Sequence, residues 1–458
     1  MQQYLIEQDA PDDLTAIFGF FSDHPWAMLL DSAASAHPNS RYHIMVLQPQ
    51  ATLRAQAGVV TLSDEHGQHH YTEDPFTVLD CALKRYFPTP LSSDLPFSGG
   101  ALGYFGYDLG RYTERLPALC AQDIKLPDMA IGLYRWALVL DSQSKQLWCV
   151  DYDGQAEQRW QRLRQLMAKP LVQINFSLTG PWQANMSQAQ YAERFAQIQQ
   201  HLHAGNCYQI NLAQRFAAPY QGNEWHAYLQ LRKANAAPFS AFMRLPEGAI
   251  LSISPERFLQ LKQQEVETKP IKGTRPRHRD PEQDQLAAMQ LQQAEKDRAE
   301  NVMIVDLLRN DLGKVCQSGS VKVPQLFAIE SFPAVHHLVS TVTGTLAAHY
   351  SAADLLRGAF PGGSITGAPK IAAMQIIEQL EPHCRSVYCG AIGYINNNGD
   401  MDTNIAIRTL VCNDAQIYCW AGGGIVADSE VNSEYQETLD KVHKILPLLA
   451  TMAAEHSE

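Results

Sequence analysis

Residues 387–421 read VYCGAIGYINNNGDMDTNIAIRTLVCNDAQIYCWA. Three apolar runs, YCGAIGYI, AIRTLV and IYCWA, are separated by NNNG at 396–399 and by Asn413-Asp414. Short runs of β-branched and aromatic residues, broken by Asn and Gly where the backbone can turn, are the pattern of an antiparallel meander. The last run leads into the glycines of GGGIVA, residues 422–427. These match a dinucleotide fingerprint in form, but no ribose-binding acid follows within a βαβ unit, so no nucleotide site is expected. GGSITGAPK at 362–370 likewise lacks the adjacent G-K-[ST] of a phosphate loop.

Upstream of the meander, helices alternate with further strands. Ser187 to Gln190 fits a capping box, and Tyr191, Phe195, Ile198 and Leu202 follow at helical spacing. Gly205 stops that helix, and CYQINLAQRF reads as a strand. Asp280-Pro281 is an N-cap with proline at the first helical position, opening a helical region that runs towards Asn310. A last helix is expected from about 431 to 450, with Tyr435, Leu439, Val442 and Leu446 on one face. Residues 10–150 carry short runs such as WAMLL (26–30) and MAIGLYRWALVL (129–140) and read as strand-rich. The stretch 151–186, with Lys169-Pro170 and Gly180-Pro181, is the best linker candidate between this region and the one at 185–445. Hairpin-joined strands with separated helices predict an α+β protein built on antiparallel sheets.

With 45% hydrophobic residues, the 458-residue chain can bury a sizeable core. A formal charge of -12 argues against nucleic acid or a membrane surface as partner, because both require a basic face. No apolar run approaches the ~18 residues of a membrane span. The N-terminus has neither the basic nor the apolar region of a signal peptide. Nine scattered cysteines without a C-x-x-C read as reduced thiols in a soluble, cytoplasmic protein rather than as disulfides or a zinc site. Cys149, Cys389, Cys412 and Cys419 lie in apolar runs and are expected to pack as small hydrophobes.

Several polar residues stand out from this frame. Glu434 and Glu437 lie three apart on the last helix and share a face, while Glu300 sits beside the apolar stripe of KDRAENVMIVDLLRND. Each taken singly is a solvated surface carboxylate, the usual fate of glutamate. Oxygen-only ligation by a few carboxylates, with substrate completing the shell, is how Mg²⁺ is usually bound. Lys272 lies between a proline and a glycine in KPIKGTRPR. An ammonium partly withdrawn from water becomes a usable nucleophile or base. Arg408 falls within an apolar run, either as a structural partner for a carboxylate or as a clamp for a substrate carboxylate. Lys441, one turn beyond Glu437, would join the two carboxylates. The backbone of GGSITG and AGGG could form anion-binding nests. These features point to a metal plus an anion site, and no further.

The segments SPERF (254–258), PIKGTRPR (270–277), DRAENVMIVDLLRNDLG (297–313), AVHHLVSTVTG (334–344), FPGGSITGAPK (360–370), CGAIGY (389–394), DTNIAIRT (402–409) and AGGGIVADSEVNSEYQETLDK (421–441) occur in this order. In order and wording they resemble the chorismate-utilising enzymes, which include the large subunits of anthranilate and aminodeoxychorismate synthases and the isochorismate and salicylate synthases. The resemblance is closest over roughly 185–445 and weaker over 10–150. It implies a large single α+β unit of two face-to-face antiparallel β-sheets with helices packed outside.

It further implies that Glu300 and Glu437 ligate Mg²⁺ with Glu434 in support, and that Gly273, Thr274, Tyr394, Arg408, Gly422, Gly423, Gly424 and Lys441 contact chorismate. His337 matches a candidate proton donor, and Glu256 an acid/base carboxylate that could otherwise be a salt-bridge partner. Lys272 stands where the anthranilate branch carries alanine. That lysine marks the aminodeoxychorismate branch and implies a covalent intermediate on its amine, with ammonia as second substrate. GNCYQ (205–209) lacks the second glycine of a glutaminase elbow. Ammonia is therefore expected from a separate glutamine amidotransferase subunit or from solution. Ser32, Asn39, Ser40, Arg41, Tyr42, Pro238, Phe239 and Ser240 resemble the walls of a tryptophan pocket. Their wording departs from the feedback type, which favours a structurally bound tryptophan or a vestige over regulation. The competing readings are a hydroxyl-transferring or isomerising chorismate enzyme and a non-catalytic binding protein.

Overall fold

The meander forms, but its strands divide between two sheets. Ala391–Asn396 and Met401–Ile405 lie in one, while Thr409–Asn413 and Gln416–Ile425 lie in the other. The chain crosses between sheets at Ile407–Arg408, where Arg408 takes a left-handed φ of 48°. A second crossing lies close by. Phe239–Leu245 and Gly248–Ser254 belong to the first sheet, Arg257–Lys262 and Glu265–Thr268 to the second, and the chain passes over at Pro255-Glu256. The two crossings are stitched together. Ile405 N–H donates to the Glu256 carbonyl (3.0 Å) and Ile253 N–H to the Arg408 carbonyl (3.1 Å). The Ser254 hydroxyl donates to the Ile405 carbonyl at 2.6 Å. The sequence thereby delivers a carboxylate and a guanidinium to one corner of the molecule.

The computed structural model describes residues 1–7, 13–33, 40–168, 174–331 and 335–452. Among them, one sheet has 13 strands and the other 12. The ladders in both are antiparallel. The N-terminal strands do not stand apart: Met28–Asp31 pairs with Phe239–Leu245, and Gly100–Phe105 pairs with Ala391–Asn396. A continuous apolar core fills the space between the sheets, drawing Met28, Ile44 and Met243 from one and Leu53, Leu102 and Ile392 from the other. A second cluster covers the outer face of the first sheet with Trp160 and Leu163 of helix Ala156–Met167 and Trp225, Tyr228 and Leu231 of helix Glu224–Asn235. This is the face-to-face arrangement expected, with helices outside. No helix among the described residues is long and apolar enough to cross a membrane.

The capping box at Ser187 is formed, with both reciprocal hydrogen bonds, on helix Gln188–His203. The helical region after Asp280 is present as two helices, Pro281–Gln293 and Glu295–Gly313, broken at Ala294, whose ψ is 107°. Two expectations need correction. The last helix is also broken, into Val431–Asp440 and Leu446–Ala450. Pro447 has no N–H to continue the ladder, and its ring would clash with the carbonyl four residues back. Finally, Cys120 and Cys384 are joined in a disulfide across 264 residues. No local spacing reports that partnership; it depends on the loop before Asp123 lying along 382–384, where Ala121 N–H donates to Pro382 O and Cys384 N–H to Ala121 O. Cys149, Cys389, Cys412 and Cys419 are buried and free, with thiol pKa values pushed up by burial, as apolar packing requires. Lys169-Pro170 of the linker candidate lies outside the described residues.

Candidate active site

The lysine strand, Ile271–Pro276, lies at the edge of the second sheet against Val335–Thr345. Its register slips between Ile271 and Thr274, leaving Lys272 and Gly273 in a bulge. Bulges re-aim side chains, and this one has a specific requirement. Gly273 adopts a φ of +78°, and a Cβ there would meet Asp297 Cγ and Leu291 Cδ1, each at 2.8 Å. Glycine next to Lys272 therefore lets the helices carrying Leu291 and Asp297 close over the bulge. Beyond it, Thr274 pairs with His337, and the Thr274 hydroxyl lies 2.9 Å from His337 Nδ1. His336 faces the other way, buried between Ser331 and Asp284.

Lys272 is half-buried, and its charge acts on three carboxylates: Glu256, Glu300 and Glu437. Glu256 is buried at the sheet crossing. Burial pushes its pKa up to about 7, against the pull of Lys272, a hydrogen bond from Ser364 and Lys441. The Ser364 hydroxyl donates to Glu256 Oε1 at 3.1 Å. A carboxyl balanced near neutrality can both give and take a proton at physiological pH.

Glu300, on helix Glu295–Gly313, and Glu434, on helix Val431–Asp440, also have raised pKa values. The cause is burial first, reinforced for Glu300 by Asp297 and Glu434 and for Glu434 by Glu437. Glu437 is lowered: burial opposes the shift, but Lys441, Lys272 and Lys296 outweigh it. Lys441 Nζ lies 2.6 Å from Glu437 Oε1 and 2.7 Å from the Gly422 carbonyl. Glu434 Oε1 accepts from Ser429, while its buried Oε2 has no partner. The glycine strand Gln416–Ile425 runs beneath these acids. A Cβ on Gly423 would lie 3.1 Å from Glu434 Oε2 and 3.3 Å from Glu437 Oε1, and one on Gly424 would strike Gln209 Nε2 at 2.2 Å. Only glycine keeps that floor open. An orphaned carboxylate oxygen, neighbouring acids of which Glu300 and Glu434 have raised pKa values, and an oxygen-only donor set fit a hard divalent cation such as Mg²⁺. The three carboxylates do not close tightly: among the described residues the one cluster of ligand atoms within 4.8 Å is Asp108, Cys120 and Cys384.

Arg408 is not within a strand but at the sheet crossing. Its side chain has no hydrogen-bond or ion-pair partner among the described residues, and the protein around its guanidinium lowers its pKa by desolvation. A strained, unpaired arginine is poised for an anion from solution. Gly422 to Gly424 lie in a paired strand, registered with Asn211 to Ala213, and not in a nest.

Tyr394 is placed elsewhere. It shares a strand face with Ile392 and lines a separate cavity of about 320 Å³ with Ser32, Arg41, Tyr42, Pro238, Phe239 and Ser240. Strand parity explains this, since residues of one parity face one side. Ser40 is described but does not line the cavity, and Asn39 lies outside the described residues. Asp402 of that cavity holds Arg257 through two hydrogen bonds (3.0 and 2.9 Å), so Arg257 is not the partner of Glu256. Two polar residues in reach of the acids escaped the sequence reading. Ser364 lies inside GGSITGAPK, which was read for its backbone alone. Lys296, one turn before Glu300, approaches Glu434 Oε1 at 3.8 Å.

A family model described as chorismate binding enzyme matches residues 27–447. An aminodeoxychorismate synthase component 1 from Klebsiella aerogenes is 55% identical over 438 residues, covering 95% of this chain and 96% of the relative. A protein of the same name from Escherichia coli (strain K12) is 54% identical, over 94% and 95% of the two chains. Among solved structures, anthranilate synthase component I from Streptococcus pneumoniae TIGR4 superimposes with a TM-score of 0.79 at 32% identity, covering 89% of this chain and 92% of that one.

Proposed function

Because the chain belongs to the chorismate binding enzyme family, we propose that it aminates chorismate at C4, converting chorismate and ammonia to 4-amino-4-deoxychorismate for p-aminobenzoate and folate. The relatives sharing more than half of its residues are named for that chemistry. The observation that carries the reading is Lys272, bulged from its strand towards Glu256, whose pKa is about 7.

The Lys272 amine attacks C2 of chorismate. Both ring double bonds shift one position, and the C4 hydroxyl departs as water, taking its proton from Glu256. Ammonia then adds at C4, the double bonds shift back, and Lys272 leaves C2 while the Glu256 carboxylate recovers a proton. Splitting one displacement into two lowers each barrier. Arg408 and Lys441 hold the substrate carboxylates, with Gly273 and Gly422 to Gly424 allowing close approach. Thr274 orients His337, which faces the substrate as a second proton carrier. Glu300, Glu434 and Glu437 would hold Mg²⁺; when bound, the ion supplies positive charge for the ring carboxylate and draws electron density from the ring.

Ammonia comes from a glutamine amidotransferase subunit, consistent with the "component 1" in the relatives' names and with the missing elbow in this chain. The cavity beside Tyr394 suits tryptophan: Tyr42 and Phe239 offer aromatic contact, while Asp402 and Arg257 offer charges for an amino acid. Mass spectrometry of the product from pure chain, chorismate, Mg²⁺ and ammonium tests the function. The expected product is 4-amino-4-deoxychorismate. Isochorismate or anthranilate would overturn the reading, and turnover with glutamine as good as with ammonium would remove the separate subunit.

A further inference from the structure

Among the described residues, the largest fully buried side chain outside the reacting groups is Arg385, 1% exposed. Each of its three nitrogens is engaged. Its Nε and Nη2 grip both Glu381 oxygens at 2.9 and 2.7 Å, its Nη1 donates to the Ile365 carbonyl at 2.8 Å, and its Nη2 also donates to the Asn211 carbonyl at 3.1 Å. Its guanidinium lies 4.7 Å over the Tyr107 ring. Glu381 in turn accepts from the Ala213 N–H at 2.8 Å, and Asn211 N–H donates to the Thr366 carbonyl at 2.8 Å. A buried ion pair is a poor source of net stability, since desolving two charges offsets most of their attraction. A pair kept at such cost, with four of the five guanidinium N–H donors aimed, is better explained by what it holds in place.

What it holds are the two backbone segments that frame the reacting groups. Ile365 is the residue after Ser364, whose hydroxyl donates to Glu256 Oε1 at 3.1 Å. Asn211 to Ala213 are registered against Gly424 to Gly422, the floor under Glu434 and Glu437. We propose that Arg385, locked by Glu381, is a positioning residue for amination: it fixes the Ser364 hydroxyl against Glu256 and so sets the pH at which that carboxyl can deliver its proton. Lysine cannot replace it, because one ammonium cannot span Glu381, Ile365 and Asn211 in a plane. The inference rests on Glu256 acting as the acid.

Around Glu256 the charged groups are Lys272 from the lysine strand and Lys441 from the end of helix Val431–Asp440; Cys389 also senses its charge. Of these, Cys389 also senses Arg385, but burial pushes its thiol pKa up and keeps it neutral, so the hydrogen-bonded route from Arg385 to Glu256 runs through Ser364. A hydrogen bond to a carboxylate stabilises the ionised form, so losing it raises the pH at which Glu256 gives up its proton. The alkaline limb of kcat against pH, where Glu256 loses its proton, should then move upward.

The test compares pH profiles of ammonium-dependent amination for wild type, Ser364→Ala, Arg385→Lys, Glu381→Gln and Glu256→Gln. The expected result is a limb moved up by about one pH unit in Ser364→Ala, Arg385→Lys and Glu381→Gln. It should not move further in the double variant Ser364→Ala/Arg385→Lys, and KM for chorismate should stay within about threefold. Glu256→Gln should lose the limb. A limb lost in Glu256→Gln but unmoved in the Arg385 and Glu381 variants overturns the positioning role alone. So does failure of both Arg385→Lys and Glu381→Gln to fold, which would make the pair a general core support. A limb that survives Glu256→Gln removes the acid assignment itself and the inference with it.

Discussion

Arg408→Gly should make the protein more stable and nearly useless at binding substrate. Arg408 takes a φ of 48°, in the left-handed region, and its guanidinium has no partner while being partly desolvated. A non-glycine residue there costs ~1–2 kcal/mol. Glycine removes that strain but adds unfolded-state freedom worth roughly 0.4–1 kcal/mol. The net gain therefore lies between about 0 and 1.6 kcal/mol. Binding moves the other way. Losing hydrogen bonds between a guanidinium and a carboxylate in such a site costs about 2–3 kcal/mol. At about 1.4 kcal/mol per tenfold, that is roughly a 30- to 150-fold rise in chorismate KM. Urea denaturation and steady-state kinetics on one preparation read both numbers. A variant less stable than wild type, or one that keeps its KM, refutes the view that Arg408 stores strain to hold an anion clamp.

Gly273→Ala should fold but lose most activity, because the left-handed φ and the contacts with Asp297 and Leu291 force the bulge to move and carry Lys272 away; activity near wild type would refute this. Glu434→Gln should weaken Mg²⁺ binding, measured calorimetrically without substrate, by more than about tenfold, which is the least that losing even an outer-sphere partner costs. Asp31→Asn should destabilise by about 3–5 kcal/mol, since it leaves Arg232 and His43 without their buried carboxylate. In the folded protein those partners and Tyr228 hold the Asp31 carboxyl well below its ordinary range despite burial. Its contribution is thus complete above the unfolded value near pH ~4 and is lost as pH falls below it; equal acid sensitivity of the variant in urea titrations would contradict that.

The strands, the capping box and the helices were legible because each is set by local spacing: Tyr191, Phe195, Ile198 and Leu202 repeat at the helical period and are all buried. What the period could not show was which sheet each strand joins. AIRTLV reads as one apolar run, yet Ala406 to Arg408 are the crossing between the two sheets and only Thr409 onward is strand, so Arg408 sits at the corner rather than in a ladder. Tyr394 misleads for a related reason. Its motif places it beside the site in sequence, while strand parity turns it to the other cavity. Glu256 was legible as a residue type, but a pKa near 7 comes from burial at a crossing, which only the packed molecule creates. Cys120 and Cys384 meet through tertiary contacts 264 residues apart. Arg385 was passed over because the two carbonyls it holds, of Ile365 and Asn211, lie 20 and 174 residues away in sequence and leave no trace in side-chain patterns.

The central claim is that the Lys272 amine bonds to the substrate. Intact-protein mass spectrometry after rapid mixing with chorismate and Mg²⁺, without ammonium, tests it most directly, with Lys272→Ala alongside. The account requires an adduct of chorismate less one water on the wild-type chain, discharged when ammonium is added, with no adduct and little amination in the variant. A Lys272→Ala chain that still aminates C4 at the wild-type rate would contradict it.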